Sequence, residues 1–178
     1  DDYLEIIDAA WTAGIRPRVH LEDVTRADID GFVMPYVGEL VRRSEQVAPD
    51  MHVKIRLCDT MGFGVPTPGA ALPRSIPKLI YRMTHDLGLP HDCLEWHGHN
   101  DFHKVHINGA TAWLYGCNAL NTTLFGFGER TGKPPLEGAL IEYISLHGDL
   151  CGIDTMMIQE IARYMASIGV DIAHNYRF

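Results

Sequence analysis

Four times in 178 residues, a stretch with helical apolar spacing gives way to a short apolar run that ends in polar residues and glycine. Residues 2–14 place Leu4, Ile7, Ala10 and Trp11 on one stripe, and residues 16–21 follow as a strand. Residues 32–47, with Phe32, Val33, Tyr36, Val37, Leu40 and Val41 in register, precede a second strand over 52–58. A helix over 74–87 leads to a strand over 94–97, and a helix over 103–116 to a strand over 118–125. Helices over 135–147 and 153–167 close the chain. Alternation of this kind, with short connections, dictates parallel βαβ units in an α/β fold. Polar residues follow every strand. In a barrel these converge on one mouth, whereas a doubly wound sheet gathers them at a single switch point. A closed (β/α)8 (TIM) barrel takes about 250 residues, so about four βα units, half a barrel, are expected.

Composition narrows the function classes. Lys and Arg number 15 against 23 Asp and Glu, a formal charge of −8. That balance argues against phosphate-neutralising nucleic-acid binding. No run of about 18 apolar residues is present to span a membrane, and the N-terminal residues do not read as a secretory signal. The chain opens without Met, as expected of a segment that begins inside a longer protein. Cys58, Cys93, Cys117 and Cys151 form no C-x-x-C. They are expected to be small buried thiols in a reducing cytoplasm.

The strongest chemical signal is His97-Gly98-His99-Asn100-Asp101. Residues two apart on a strand share a face about 6.6 Å apart along the chain. Two imidazoles there can tilt onto one ion at about 2.0–2.1 Å, and Gly98 permits close approach. Asn100 and Asp101 are candidates to hydrogen-bond the rings and fix their tautomers. The alternative is a pair of barrel-mouth histidines without an ion. His103 and His106 fall at helical spacing and read as solvent-facing. Asp59 and Thr60 end the second strand. They read as turn or capping residues, with the Thr60 hydroxyl available at the mouth. Arg18, His20 and Glu22 alternate, so all three face one side. Arg18 then either meets a substrate carboxylate, which its fork matches, or pairs internally with Glu22. Three glycines in 126–132 describe a tight loop exposing backbone N–H groups. It is not a Walker loop.

Four motifs occur in order: Arg18-x-x-x-Glu22-Asp23, Asp59-Thr60-x-Gly62, His97-x-His99-Asn100-Asp101 and Gly126-x-Gly128-Glu129-Arg130-x-Gly132. Together they resemble the metal-dependent Claisen-condensing family of isopropylmalate, homocitrate and citramalate synthases, which includes the hydroxymethylglutaryl-CoA lyases. The resemblance covers nearly the whole chain, as strands five to eight of the barrel. It implies a C-terminal half-barrel over 1–150 and the start of a helical linker subdomain over 151–178. It also implies metal ligation by His97 and His99, and oxo-acid binding by Arg18 and Thr60, with His20 as a wall of that pocket. Glu22 and Glu129 are implied as polar catalytic-site residues. The cofactor implied is a divalent ion; Zn²⁺, Mg²⁺ and Mn²⁺ all suit such ligands. The implied small-molecule partners are acetyl-CoA and a 2-oxo acid.

Within the family, Trp96-His97-Gly98-His99, GFGERTGKPPLE and the C-terminal run resemble the Re-type citrate synthases most. Homocitrate synthase is the close competitor. His20 is bulkier than the small hydroxyl residue of homocitrate synthases at that place, which suits a shorter acid. The lyases carry Cys where this chain has Glu129. Two departures stand out. Lys133 replaces a common Asn close to the metal in some relatives, and the family's first-strand Asp ligand and later catalytic His have no counterpart. His174 does not sit in the latter's motif. A non-catalytic half-barrel that binds metal or self-associates, hiding its two sheet edges, is therefore the rival expectation.

Overall fold

The computed structural model describes residues 2–175, with side chains through residue 173; His174's side chain lies outside the described residues. Helix α1 (Asp2–Thr12) leads to β1 (Arg18–Leu21). Next come α2 (Met34–Ser44), β2 (Lys54–Asp59) and α3 (Ile76–Tyr81). Strand β3 (Leu94–Gly98), α4 (Val105–Tyr115) and β4 (Ala119–Leu120) follow. Helices α5 (Leu136–His147), α6 (Met156–Ser167) and α7 (Ile172–Asn175) complete the order. The strands form one parallel sheet in the order β1-β2-β3-β4. This is the four-unit α/β arrangement of a partial barrel. Among the described residues, no helix is long and apolar enough to cross a membrane.

The period of two sorts the sheet into two faces. Leu21, Ile55, Leu57, Leu94 and Trp96 are buried towards the helices. There they join one core with Val37 and Leu40 of α2 and Ile76, Leu79 and Ile80 of α3. The alternate residues are polar: Arg18 and His20 on β1, Lys54, Arg56 and Cys58 on β2, Glu95 and His97 on β3. This face corresponds to a barrel interior, and it positions the site.

Two helices enter or leave through wider turns than their apolar spacing suggests. A π-turn over Ile29–Val33 runs into α2, and another over Arg82–Asp86 ends α3. Pro35, near the start of α2, supplies no N–H to the preceding turn, and the wide turn accommodates that loss. The fourth strand is shorter than the expected 118–125. Only Ala119 and Leu120 pair, opposite Glu95 and Trp96. Beyond them Thr123 donates to the Pro134 carbonyl (3.0 Å) and accepts from Leu136 N–H (2.8 Å). The backbone then turns through positive φ at Phe125. The local β-propensity of 122–125 yields to this crossing contact. Helix α4 begins at Val105, so His103 (φ 55°) precedes it, and His106 faces Glu142 at 3.4 Å instead of solvent alone. Cys58, Cys93 and Cys117 are buried as expected, whereas Cys151 is exposed, on a turn with nothing to bury it.

Asp59 anchors the loop that begins the site. It is 1% exposed, on the helix-facing side. It accepts from the Thr25 hydroxyl (2.7 Å) and Gly64 N–H (3.0 Å). Asp59→Ala leaves both donors buried and unpaired. The expected cost is about 2–3 kcal/mol, read as a lowered denaturation midpoint at unchanged m-value.

Candidate metal and oxo-acid site

Strand β3 carries the two histidines to the end of the sheet. Gly98 separates them because a Cβ there would stand 3.1 Å from the Trp96 indole nitrogen and 3.3 Å from Val105. The strand end thus packs against α4 while both imidazoles turn to the polar face. Their Nε2 atoms approach to 3.3 Å, with the rings 71° apart. Two nitrogens bound to one ion at about 2.1 Å lie roughly 3.0–3.4 Å apart for octahedral or tetrahedral angles, so the pair fits a shared cation. His99 is 4% exposed, and its Nδ1 is buried without a hydrogen-bond partner.

Burial lowers the pKa of both histidines, and the nearby Lys133 charge lowers them further. His97 falls to about 4. Both rings are therefore neutral at pH 7 and keep a lone pair for a metal. The linkage has a definite sign. Between the unfolded value of 6.5 and the folded value of about 4, the unfolded chain binds more protons. Stability should fall as pH drops through that window, and Lys133→Asn should narrow it. Thermal melts at pH 7, 5.5 and 4 with both proteins check this.

Thr60 and Glu22 meet beside the pair. The Thr60 hydroxyl donates to Glu22 Oε2 (2.8 Å) and accepts Asp23 N–H (2.8 Å). Burial raises the Glu22 pKa, but the hydrogen bonds with Thr60 and Cys58 lead the effects that outweigh it, and the carboxylate is held below its ordinary range. Gly62 lets this loop touch the histidine loop. Its φ is +70°, and a Cβ would lie 2.9 Å from the His99 carbonyl.

Arg18 does not pair with Glu22. Its Nη2 lies 3.0 Å from Glu95 Oε1, and the side chain stays 43% exposed. Glu95, 3% exposed, also receives two bonds from Arg56 (3.0 and 2.9 Å) and lies 3.6 Å from Lys54 Nζ. Three cations thus surround one carboxylate. Arg56 and Glu95 were legible as alternating inward positions flanking Cys58 and His97, but the motif reading passes over them. His20 is exposed on the same face. Burial, followed by the Arg56 charge, lowers its pKa.

The loop after β4 closes the site differently from expectation. Glu129 is exposed, while Arg130 binds both oxygens of Asp101 (2.7 and 3.0 Å) and the Thr60 carbonyl (2.5 Å). Asp101 is therefore committed to Arg130 and not to an imidazole, because the guanidinium fork outcompetes a neutral ring. Asn121, just beyond β4, raises the His97 pKa, against the larger lowering by burial and by Lys133. Lys133 Nζ stands 3.3 Å from His97 Nε2. Its stem fills the space beside Gly128, where a Cβ would meet Lys133 Cγ at 2.8 Å.

A parallel half-barrel with a polar inner face and paired imidazoles at a strand end defines an α/β scaffold with a candidate cation site. The HMGL-like family model matches residues 1–165, and the chain belongs to that family. It is 55% identical over 179 residues to the citrate (Re)-synthase of Syntrophus aciditrophicus, covering 100% of this chain and 28% of that protein. It is 46% identical over 164 residues to the citrate (Re)-synthase of Clostridium kluyveri, covering 92% and 36%. The chain thus spans about a third of the length of these relatives. Among solved structures it resembles hydroxymethylglutaryl-CoA lyase from Pseudomonas aeruginosa. The TM-score is 0.66 at 22% identity, covering 95% of this chain and 55% of that one.

Proposed function

We propose that this chain is the metal- and oxo-acid-binding half of an acyltransferase that condenses acetyl-CoA with oxaloacetate to citrate. The observation that carries the reading is the 3.3 Å approach of the His97 and His99 nitrogens beside Thr60 and Glu22. The names of the two citrate (Re)-synthases described above support citrate as the product. His97 and His99 would hold the divalent ion, Mn²⁺, Mg²⁺ or Zn²⁺. Bound there, the ion would supply Lewis-acid polarisation of the keto group.

The chain's own residues orient the acid. Arg18 spends one nitrogen on Glu95 and keeps the rest of its exposed fork for a carboxylate. Thr60 has one proton, held by Glu22, so Glu22 must release it before Thr60 can donate to substrate. Glu22 is then left as an ionised acceptor able to take a proton at the mouth. His20 walls the pocket on the β1 side. Glu129, exposed on its loop, contributes charge towards His99. We read 1–150 as the partial barrel and 151–178 as the start of a linker subdomain, in a cytoplasmic protein.

The test is thiol release from acetyl-CoA, with and without oxaloacetate and metal. Release that needs both supports the reading, and release with 2-oxoglutarate instead reassigns the acceptor to that of a homocitrate synthase. A second reading, a non-catalytic half that self-associates, is favoured by one feature. The groove beside the free edge of β1 is apolar and open, with Tyr3 72%, Ile6 63% and Phe32 58% exposed. Sedimentation decides: this second reading expects a dimer or larger, and a monomer contradicts it.

A further inference from the structure

A second donor set stands on the same polar face. His20 on β1, Glu22 just beyond it and Cys58 on β2 offer an imidazole nitrogen, a carboxylate oxygen and a sulfur, all within 4.8 Å of one another. Among the described residues no other such group of three is found. It shares no member with the His97–His99 pair. We propose that His20, Glu22 and Cys58, next to His97 at the oxo-acid end of the same face, form a second position for a thiolate-seeking divalent ion such as Zn²⁺ or Co²⁺.

The chemistry selects the ion. Thiolate and imidazole favour Zn²⁺ and Co²⁺, whereas Mg²⁺ prefers oxygen and keeps its water. Donors sharing one ion with a metal–sulfur bond of about 2.3 Å sit roughly 3.3–3.8 Å apart, so a contraction of about 1 Å completes the set. His20 can make that movement by turning about its side-chain bonds, because the ring is exposed. Cys58 Sγ is held only by a long contact to the Arg56 carbonyl (3.7 Å) and by Glu22. Arg18 and Arg56 are paired with Glu95; the Glu22 carboxylate and the bound thiolate balance the ion's two charges, and Lys133 remains as the opposing cation. Binding exchanges the thiol proton for the metal: Cys–SH and M²⁺ give Cys–S–M⁺ and a proton released to solvent, with no change of oxidation state. Where the proposed reaction holds, such an ion draws Glu22 from Thr60 and inhibits, a consequence that rests on that reading. The site itself does not.

Co²⁺ titration of the metal-free chain tests the site without turnover. Thiolate ligation gives a near-ultraviolet charge-transfer band, which a histidine-only site cannot produce. The band is expected in the parent chain, in His97→Ala and in Cys151→Ser, and is expected to vanish in Cys58→Ser. His20→Ala, at an exposed position, should weaken the band's Co²⁺ affinity at least ~10-fold and decides the matter where Cys58→Ser fails to fold. A band that survives in folded Cys58→Ser, is indifferent to His20→Ala, or is absent from the parent chain overturns the site.

Discussion

His97→Ala is expected to cost this chain at least about 100-fold in Mn²⁺ affinity, more than loss of an outer hydrogen-bond partner of a ligand usually does. Where the rest of a barrel is present, it should also remove metal-dependent turnover. The ion's polarisation of a carbonyl contributes several kcal/mol, and each 1.36 kcal/mol is about tenfold in rate. The loss should therefore exceed about 10³-fold. The substitution removes one of two nitrogens that already stand 3.3 Å apart. Isothermal titration with Mn²⁺ reads the first effect and citrate formation the second. A mutant that binds Mn²⁺ like the parent removes the ligand assignment.

Glu95→Ala should give the largest loss of stability. The carboxylate is buried and holds Arg56, Arg18 and, at longer range, Lys54. Removing it strands three cations on the inner face. Breaking a buried pair costs about 3–5 kcal/mol, and the partial exposure of the cations places the loss near the lower figure. For a chain of this size each kcal/mol lowers Tm by roughly 2–4 °C, so a fall of about 6–12 °C is expected by calorimetry. The pH dependence separates this group from His97. Burial raises the Glu95 pKa, but the Arg56 hydrogen bonds and the Arg18 charge outweigh it and hold it low. Its stabilisation is present above the ordinary carboxylate range and is lost as pH falls through the folded value. The His97 loss comes earlier, between pH 6.5 and about 4.

Lys133→Asn carries an opposite expectation. The ammonium stands where it repels a cation on His97. Neutralising it should tighten Mn²⁺ binding several-fold, most clearly at low ionic strength where charges are least screened. Unchanged affinity would show that the lysine swings clear.

The residues whose role depends on strand period were legible in the sequence. Alternation fixed the shared face of Arg18, His20 and Glu22, and the i, i+2 spacing placed both imidazoles together. What escaped depends on contacts far apart in the chain. Asp101 is claimed by Arg130, 29 residues away, and Glu95 by Arg56, 39 residues away. No local pattern says which of several possible partners wins. The fourth strand reads as β throughout 118–125, yet its end is pulled away by backbone bonds to residues 134–136. The wide turns before α2 and after α3 follow from backbone accommodation that apolar spacing does not encode.

Pulsed EPR of the Mn²⁺-loaded chain, with ¹⁵N carried only by histidine, tests the shared cation most directly. Couplings from two imidazole nitrogens, one of which is lost in His97→Ala and the other in His99→Ala, are the predicted result. A bound ion without histidine coupling, or with coupling unchanged in both variants, would contradict it.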